Sequence, residues 1–311
     1  MRIAMGVGGD VLGAPMPPAD IVEQVKQAEA EGFSAAWTVH FTRGVDALNV
    51  LAVAGAQTHH IELGVGIVPT YPRHPLALAQ QAATTQAFCG GRLTLGVGVS
   101  HRPVIEGMHG IRYDHPAAHM REYLSVLTPL LRDGAVSYQG DLYQVDGGFT
   151  VPGTSAVSVV VGALSPMMVQ VAGELADGVV TWLAGPRTLA GVIVPALRRA
   201  AADAGRPQPR VVAAVQVAVC TDAGAGRAAA EQLFARYGGL ENYQRLLARE
   251  GVVSPGALAV VGTESEVEKQ LHVYAEAGVT ELWPTVFAVG DDPAASVKRT
   301  RAVLAELAPG L

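Results

Sequence analysis

The chain has 311 residues, of which 50% are hydrophobic and 16% charged, and its formal net charge is −6 at pH 7. A chain of this length buries a sizeable core without disulfides or a structural metal, and its acidic balance excludes the basic stripe of a nucleic-acid-binding surface. It has two cysteines, far apart, and no apolar run near the roughly 20 residues of a membrane span, so we expect a cytoplasmic protein without membrane or nucleic-acid partners.

Short apolar runs recur along the chain and predict eight strands. Because these runs are apolar throughout and do not alternate with polar residues, they are typical of parallel strands buried on both faces. The predicted strands are Arg2–Val7, Ala35–Val39, Ile61–Val68, Leu93–Val99, Val157–Val161, Gly178–Trp182, Val211–Cys220 and Thr280–Val286.

The segments between the strands carry the start and stop signals of helices. Asp20–Gly32 has apolar residues at helical spacing and ends at a glycine. Pro75–Phe88 begins at a proline and ends before two glycines, and Ser165-Pro166 joins an N-cap serine to a proline in the first turn. This alternation of strands and helices predicts an α/β fold with a parallel sheet covered by helices.

Eight strand–helix units in 311 residues predict a (β/α)8 TIM barrel, with a doubly wound open sheet as the alternative. Two insertions interrupt the alternation. Val136–Phe149 predicts a β-hairpin centred on Gln139-Gly140-Asp141, and residues 238–258 contain a short polar helix around Glu241–Glu250. Since no linker, composition break or repeat divides the chain, we expect one domain over residues 1–311.

The glycine-rich and histidine-rich segments do not match common phosphate or metal motifs. The run Gly96–His101 starts like a dinucleotide fingerprint, but His101 occupies the place of the third glycine, and no P-loop sequence occurs. His115 and His119 have the spacing of two ligands on one helix face. However, His115 precedes Pro116 and no carboxylate completes the set, so we expect no metal site.

The residues that follow the predicted strands are the candidates for an active site, because a TIM barrel has its active site at the mouth, where the C-terminal ends of the strands meet. His40 follows the second strand, which makes it a candidate for proton transfer near neutral pH. The third and fourth strands end in Gly64–Pro69 and Gly96–Ser100, where glycines let a flat ring approach the backbone. After the fifth strand, Gly162–Ser165 leads into a helix N-terminus, a modest site for one phosphate.

These segments together resemble the luciferase-like family of flavin and deazaflavin oxidoreductases, and the resemblance covers nearly the whole chain. Within the family, the sequence is most similar to the actinobacterial branch that uses the deazaflavin coenzyme F420, and to methylene-tetrahydromethanopterin reductase. The matching segments are Leu63-Gly64-Val65-Gly66-Ile67-Val68-Pro69, Arg73-His74-Pro75-Leu76, Gly91-Arg92-Leu93, Leu95-Gly96-Val97-Gly98, Trp37-Thr38-Val39-His40, Gly162–Gly178 and Gly262-Thr263.

The resemblance implies a TIM-like barrel with insertions and a deazaflavin across its mouth. In the family, a non-proline cis peptide in the third strand bulges against the ring, and the match places it at Gly66-Ile67. His40 is then the catalytic residue, and the Gly162–Ser165 turn holds the cofactor phosphate. The implied cofactor-binding residues are Gly66, Ile67, Val68, Gly98, Val99, Ser100, Gly162, Ala163, Leu164, Ser165 and Thr181.

The resemblance also implies an oxidoreductase that transfers a hydride between F420 and a small organic substrate, with reduction of an activated C=C or C=N bond as the expected reaction. Phe41, Trp182 and Trp283 are candidates for an apolar substrate wall. Some family members carry an acid where this chain has Ser100-His101-Arg102, so His40 either protonates the substrate or polarises the ring.

Two alternatives remain open at this point. An FMN-dependent monooxygenase shares the fold and the mouth, and a barrel that binds a cofactor without turnover belongs to a different functional class. The family commonly dimerises through barrel helices, and the apolar helix Leu48–Ala56 is a candidate for a homodimer interface.

Overall fold

The computed structural model describes residues 1–9, 13 and 15–310 as twelve strands and twelve α-helices. The strands are β1 (Arg2–Ile3), β2 (Met5–Gly6), β3 (Ala35–Thr38), β4 (Glu62–Pro69), β5 (Leu93–Gly98), β6 (Ala135–Gln139), β7 (Gln144–Gly148), β8 (Ser158–Gly162), β9 (Gly178–Trp182), β10 (Arg210–Val219), β11 (Val260–Gly262) and β12 (Glu281–Val286). The helices are α1 (Pro18–Ala30), α2 (Ala47–Ala56), α3 (Pro75–Phe88), α4 (Arg102–His109), α5 (Pro116–Asp133), α6 (Pro166–Leu175), α7 (Pro186–Thr188), α8 (Val194–Asp203), α9 (Ala223–Phe234), α10 (Glu241–Glu250), α11 (Glu264–Glu276) and α12 (Pro293–Leu307).

The main sheet closes into a parallel barrel with eight strand positions. Its strands follow the order β1-β12-β10-β9-β8-β5-β4-β3-β2. β1 pairs with β12, β2 pairs with β3, and only Ala4 separates the two short strands, so together they complete the ring. The predicted TIM barrel is confirmed, and the doubly wound open sheet is excluded. The predicted single strand Arg2–Val7 is divided because its two halves pair with different neighbours.

Both predicted insertions are present. β6 and β7 form an antiparallel hairpin outside the barrel sheet, and α10 covers the same residues as the predicted polar helix. A short strand that the sequence did not predict, β11, pairs with the C-terminal half of β10. Among the helices of the described ranges, none is long and apolar enough to cross a membrane.

Successive side chains of a barrel strand point alternately into the barrel and into the layer between strands and helices. In β10, Val212 and Ala214 are buried with Trp37 inside the barrel, whereas Val211 and Ala213 pack in the strand–helix layer. This alternation decides which of the predicted site residues direct their side chains toward the mouth.

A network of charged residues closes the N-terminal end of the barrel. Glu281 is fully buried and binds the guanidinium groups of Arg2 and Arg210. Arg210 also pairs with Glu62 at 2.7 Å, and the indole Nε1 of Trp37 donates to Glu281 Oε1 at 2.5 Å. We call these five residues the barrel floor. Since the floor is filled and paired, the mouth is the end at which a ligand can reach the interior.

Candidate active site

The bulge in β4 sets Ile67 at the mouth. The Gly66–Ile67 peptide bond is cis, as the resemblance implied, and the register between β4 and β5 shifts at this point. A Cβ added at Gly98 would lie 2.8 Å from the Ile67 side chain, and one at Gly162 would lie 3.1 Å from it. The two glycines therefore make room for Ile67, which is half-buried and presents an apolar face to the mouth.

The end of β5 is held by a chain of hydrogen bonds from α5. The backbone amide and the hydroxyl of Thr70 both donate to the Gly98 carbonyl, at 2.9 and 3.3 Å. Because that hydroxyl proton is used, His119 Nε2, 2.9 Å away, must be the donor to Thr70 Oγ1. Burial lowers the pKa of His119 to about 4, although the nearby Glu122 opposes the shift. His119 is therefore a neutral imidazole that fixes the strand end.

Ser100 turns the chain away from β5 with a left-handed backbone, at φ 57°. Its carbonyl accepts a hydrogen bond from the Tyr113 hydroxyl at 3.2 Å, which holds the turn in place. A left-handed conformation is uncommon for residues other than glycine and is often found at functional sites. Ser100 is half-buried, so its side chain stays accessible at the mouth.

Several predicted cofactor residues direct their side chains away from the mouth. Val68 and Ala163 are buried in the strand–helix layer, and Val99 packs against it, so these residues can border a cofactor through their backbone. Thr181 is 1% exposed, and its hydroxyl lies 3.5 Å from the Val212 carbonyl. In β9, Thr181 has the same orientation as Val179 of the strand–helix layer, so its side chain points away from the mouth.

The Gly162–Ser165 turn leads into the N-terminus of α6 as predicted. Ser165 is exposed and caps the helix, since its Oγ accepts a hydrogen bond from the Met168 amide at 3.4 Å. The first helical hydrogen bond runs from the Val169 amide to the Ser165 carbonyl at 3.0 Å. Pro166 has no N–H, so the Met167 amide is left to bind an anion in the first turn.

His40 lies two residues beyond the end of β3, and both of its ring nitrogens face hydrogen-bond donors. Nδ1 accepts a hydrogen bond from the Ala47 amide at 3.2 Å, so in the neutral ring Nε2, 3.3 Å from the Arg73 guanidinium, carries the proton. Burial and the Arg73 charge lower the pKa of His40, against the opposing effect of the Asp46 carboxylate. The imidazole is therefore neutral at pH 7.

Arg73 also lies at the mouth. In the sequence it appeared only as part of a segment that matches the family, and it was not named as a site residue. Its guanidinium binds Asp46 Oδ2 at 2.8 Å and Gln81 Oε1 at 2.7 Å, besides facing His40. Asp46 in turn caps α2 by accepting a hydrogen bond from the Asn49 amide at 3.2 Å. The network ties His40 to the N-termini of α2 and α3.

Trp283 lies deeper than the sequence predicted. It is 5% exposed and stacks on Trp37, with ring centroids 5.3 Å apart. A Cβ added at Gly66 would lie 2.5 Å from its ring. Because the ring fills the barrel interior below the cis peptide, Trp283 supports the mouth from beneath and has little surface left for a substrate.

Phe41 and Trp182 fit the predicted apolar wall better. Both are half-buried and pack against the cluster of buried side chains inside the barrel. The Trp182 ring meets Phe234 and Tyr237 edge-on, with centroids 5.7 and 5.6 Å apart. This side of the mouth is aromatic, whereas β5 and β8 end in glycines, Gly98 and Gly162.

Two N–H donors on the aromatic side have no acceptor among residues 1–9, 13 and 15–310. They are Nε1 of Trp182 and Nε2 of Gln216, and both atoms are buried. Gln216 is 1% exposed and lies on β10 two residues beyond Ala214, the partner of Trp182 on β9. Sequence reasoning missed Gln216, for which the one available signal was a polar residue within the apolar run of β10.

The second insertion reaches the loop that follows β5. The ring of His101, in that loop, lies 6.0 Å from the ring of Tyr243 on α10. Burial lowers the pKa of His101. Glu250, at the end of α10, accepts hydrogen bonds from the backbone amides of Arg187 and Thr188, at 3.3 and 2.6 Å. These contacts fix α10 between the loops that follow β5 and β9.

In the described part of the chain, no group of three or more histidine, cysteine or acidic side chains is arranged to hold a metal ion. His115 is the residue before α5, as its proline neighbour predicted, while His119 is used by Thr70. The donor set of the mouth suits an organic ligand: an apolar face at Ile67 for a flat ring, a helix N-terminus for a phosphate, and buried N–H donors for carbonyl oxygens.

Comparison with known proteins agrees with this geometry. The family model described as luciferase-like monooxygenase matches residues 2–281. A Mycobacterium tuberculosis protein, provisionally named a coenzyme F420-dependent oxidoreductase, is 29% identical over 315 aligned positions, which cover 86% of this chain and 90% of that protein.

Two solved structures share the fold. The coenzyme F420-dependent tetrahydromethanopterin reductase from Methanopyrus kandleri has a TM-score of 0.81 and 22% identity, over 98% of this chain and 97% of that one. The oxygenating component of 3,6-diketocamphane monooxygenase from Pseudomonas putida, solved with FMN, has a TM-score of 0.74 and 18% identity, over 93% and 91%. Because the family model matches most of this chain, the chain belongs to the luciferase-like monooxygenase family.

Proposed function

We propose that the protein transfers a hydride between coenzyme F420 and a small organic substrate, most favourably by reducing an activated C=C or C=N bond. The observation that carries the proposal is the apolar face of Ile67, seated over Gly98 and Gly162, together with the turn from Gly162 to the N-terminus of α6, where the Met167 amide is left to bind an anion. This arrangement fits a flat ring that carries a phosphate on its side chain. The relatives named for F420 support a deazaflavin as that ring.

An FMN-dependent monooxygenase is the second candidate. FMN also consists of a flat ring with one phosphate, and the FMN-bound monooxygenase from Pseudomonas putida has the same fold. The two candidates differ in chemistry, because a reduced flavin reacts with oxygen whereas a deazaflavin transfers a hydride and reacts poorly with oxygen.

The residues of this chain divide the work of binding. The backbone of Gly66–Val68 and Gly98–Ser100 would border the ring, and the Gly162–Ser165 turn with the first turn of α6 would hold the phosphate. Phe41 and Trp182 exclude water from the reacting carbon. When bound, the deazaflavin supplies the two-electron hydride chemistry, and the protein supplies orientation and a dry pocket.

Two roles are open for His40: to protonate the substrate or to polarise the cofactor ring. The surroundings of His40 favour the second role. The Arg73 guanidinium and burial lower its pKa, so the cationic form is scarce near pH 7. A neutral imidazole is a weak acid but a good hydrogen-bonding group. Because Nδ1 accepts from the Ala47 amide, Nε2–H is the group of His40 that would orient the ligand, and the proton consumed by the reduction comes from another source.

We further propose a homodimer through α2 and α3. Neither helix contains a charged residue, although both lie at the protein surface. Val53 and Phe88 are 51% and 57% exposed, and Phe88 borders a shallow groove between the two helices. Depletion of charge around exposed apolar side chains is typical of the core of an interface, and a second copy of this chain is the partner the family resemblance favours.

A cytoplasmic location belongs to the same proposal. Cys89 and Cys220 are both buried free thiols. Burial raises the pKa of Cys89 to about 11, against a smaller opposing effect of Arg92, so it resists oxidation. Unreactive, unpaired thiols suit a reducing compartment.

The variant Gly98→Ala tests the proposed site. Its Cβ would lie 2.8 Å from Ile67 and displace that side chain into the space of the ring. We expect oxidised F420 to bind about tenfold more weakly, as measured by isothermal titration, because overpacking of this kind costs roughly 1–3 kcal/mol. We also expect slower anaerobic oxidation of reduced F420 by a panel of enones and imines.

Gly107→Ala is the matched control. Gly107 lies in α4, where an added Cβ meets no atom within 4 Å, so F420 binding should not change. Equal F420 affinity in Gly98→Ala and the wild type would contradict the proposed site. Binding without turnover of any acceptor would support the non-catalytic barrel instead.

A further inference from the structure

We propose that Trp182 and Gln216 form a two-donor site for a carbonyl oxygen at the barrel mouth, carried either by the substrate or by the cofactor ring. The inference rests on the proposed function, because it requires an organic ligand in the mouth. It adds Gln216, a donor role for Trp182 and a class of acceptor, none of which the family resemblance assigned.

The side chains of Trp182 and Gln216 point into the barrel from neighbouring strands. Trp182 pairs with Ala214 across β9 and β10, and Ala214 points into the barrel. Gln216 has the same orientation as Ala214 but lies one pleat closer to the mouth, beside Thr285 of β12. The indole and the amide therefore approach the interior from neighbouring strands, on the side opposite Ile67.

The two unpaired donors of the mouth contrast with the indole donor of the barrel floor. At the barrel floor, the same fold supplies the Trp37 indole with Glu281 Oε1 as an acceptor at 2.5 Å. By contrast, Nε1 of Trp182 and Nε2 of Gln216 are buried and have no acceptor within the described ranges. A buried donor without an acceptor destabilises the folded state, so two of them on one face of the mouth indicate that a ligand completes the pairing.

The chemistry of the donors selects the acceptor. An indole N–H can only donate, and the two N–H groups are uncharged, which suits a neutral carbonyl oxygen with two lone pairs. Hydride addition to the β carbon of an α,β-unsaturated carbonyl compound moves the C=C electron pair toward the carbonyl, so negative charge collects on that oxygen. Two fixed N–H donors stabilise this charge as it develops.

The step balances with the cofactor of the proposed function. The β carbon would gain a hydride that a bound reduced deazaflavin would supply, with its electron pair, and the α carbon would take a proton from solvent once the enolate is exposed to it. The alternative source, a ring carbonyl of the cofactor, would use the same two donors for binding alone. Separate binding measurements distinguish the two.

The test compares Gln216→Met and Trp182→Phe with Tyr123→Phe. Tyr123 also has a buried hydroxyl without a partner in the described ranges, but it lies in the strand–helix layer, so it is the matched control. In the absence of ligand, Gln216→Met should unfold at the same or a higher temperature than the wild type, since an unpaired amide is removed. A merely structural role of the amide predicts a lower unfolding temperature.

Two titrations then locate the acceptor. Oxidised F420 is titrated into each apoprotein, and 2-cyclohexen-1-one is titrated into each protein loaded with oxidised F420, where no turnover occurs. We expect Gln216→Met and Trp182→Phe each to weaken one of these two affinities by about 3- to 10-fold, with no change in Tyr123→Phe. A change for F420 assigns the ring carbonyl, and a change for the enone assigns the substrate.

Unchanged affinities in both titrations would overturn the inference and leave the donors to an internal water molecule. That result would not affect the proposed function, provided that the wild type binds F420. A wild type that binds neither F420 nor the enone would contradict both.

Discussion

Three histidines surround the mouth, and their neighbours give them different roles. His40 faces the Ala47 amide and Arg73, His101 packs against Tyr243, and His119 donates to Thr70. Burial lowers the pKa of all three imidazoles. At neutral pH they are therefore hydrogen-bonding groups, not cationic acids, and none of them can be identified as a proton donor from residue type alone.

The stability of the protein in acid should depend on His119. Its pKa falls from 6.5 in the unfolded chain to about 4 in the folded state, so between these values the unfolded chain binds a proton that the folded state does not. The lowered pKa of His119 therefore adds about 3 kcal/mol to the free energy of unfolding. This stabilisation is fully present above pH 6.5 and is lost as the pH falls through 4. In His119→Gln, the free energy of unfolding should decline less over this range, as measured by urea titration at each pH.

His59→Gln is the control for this prediction, because His59 is exposed. It should show the same decline as the wild type. If His119→Gln also declines like the wild type, the imidazole is already protonated in the folded state, and the hydrogen bond to Thr70 does not hold it neutral.

At the scale of elements, α2 and α3 combine two tasks. Asp46 at the N-terminus of α2 and Gln81 within α3 both bind Arg73, which faces His40. The outer faces of α2 and α3 are free of charge and expose Val53 and Phe88. An interface at these helices would place the partner subunit directly behind the His40 network.

Phe88→Glu should therefore dissociate the dimer. A carboxylate at the centre of an apolar interface is buried without a partner, which costs several kcal/mol and shifts the dissociation constant by about a hundredfold or more. Sedimentation velocity at micromolar concentration should show a dimer for the wild type and a monomer for the variant. Leu142→Glu, on the exposed hairpin, should leave the dimer intact; a monomeric wild type would refute the interface.

At the scale of the whole molecule, the barrel could be predicted because a parallel strand buried on both faces leaves a continuous apolar run in the sequence. The predicted strands that correspond to β8 and β12 differ from the structure by no more than one residue at either end. The division of Arg2–Val7 could not be predicted, since it depends on which strands become neighbours on closure. β11 was missed because a strand of three residues is too short to show a recognisable hydrophobic pattern.

The site could be predicted only to the level of strand ends. His40 and Ser165 were chosen because they come soon after apolar strands, and the structure places them beyond β3 and at the N-cap of α6. Thr181 and Trp283 were misplaced because the side-chain direction depends on strand parity and depth, which a motif does not show. Gln216 was missed because an unpaired donor is a property of its neighbours in space.

The most direct test of the central claim is an anaerobic titration of the purified apoprotein with F420 and with FMN, followed by admission of oxygen to the reduced complexes. We predict that F420 binds at least about tenfold more tightly than FMN, and that its reduced form is consumed by an unsaturated acceptor without oxygen uptake. Tighter binding of FMN, with oxygen consumption by its reduced complex, would contradict the account and identify a monooxygenase.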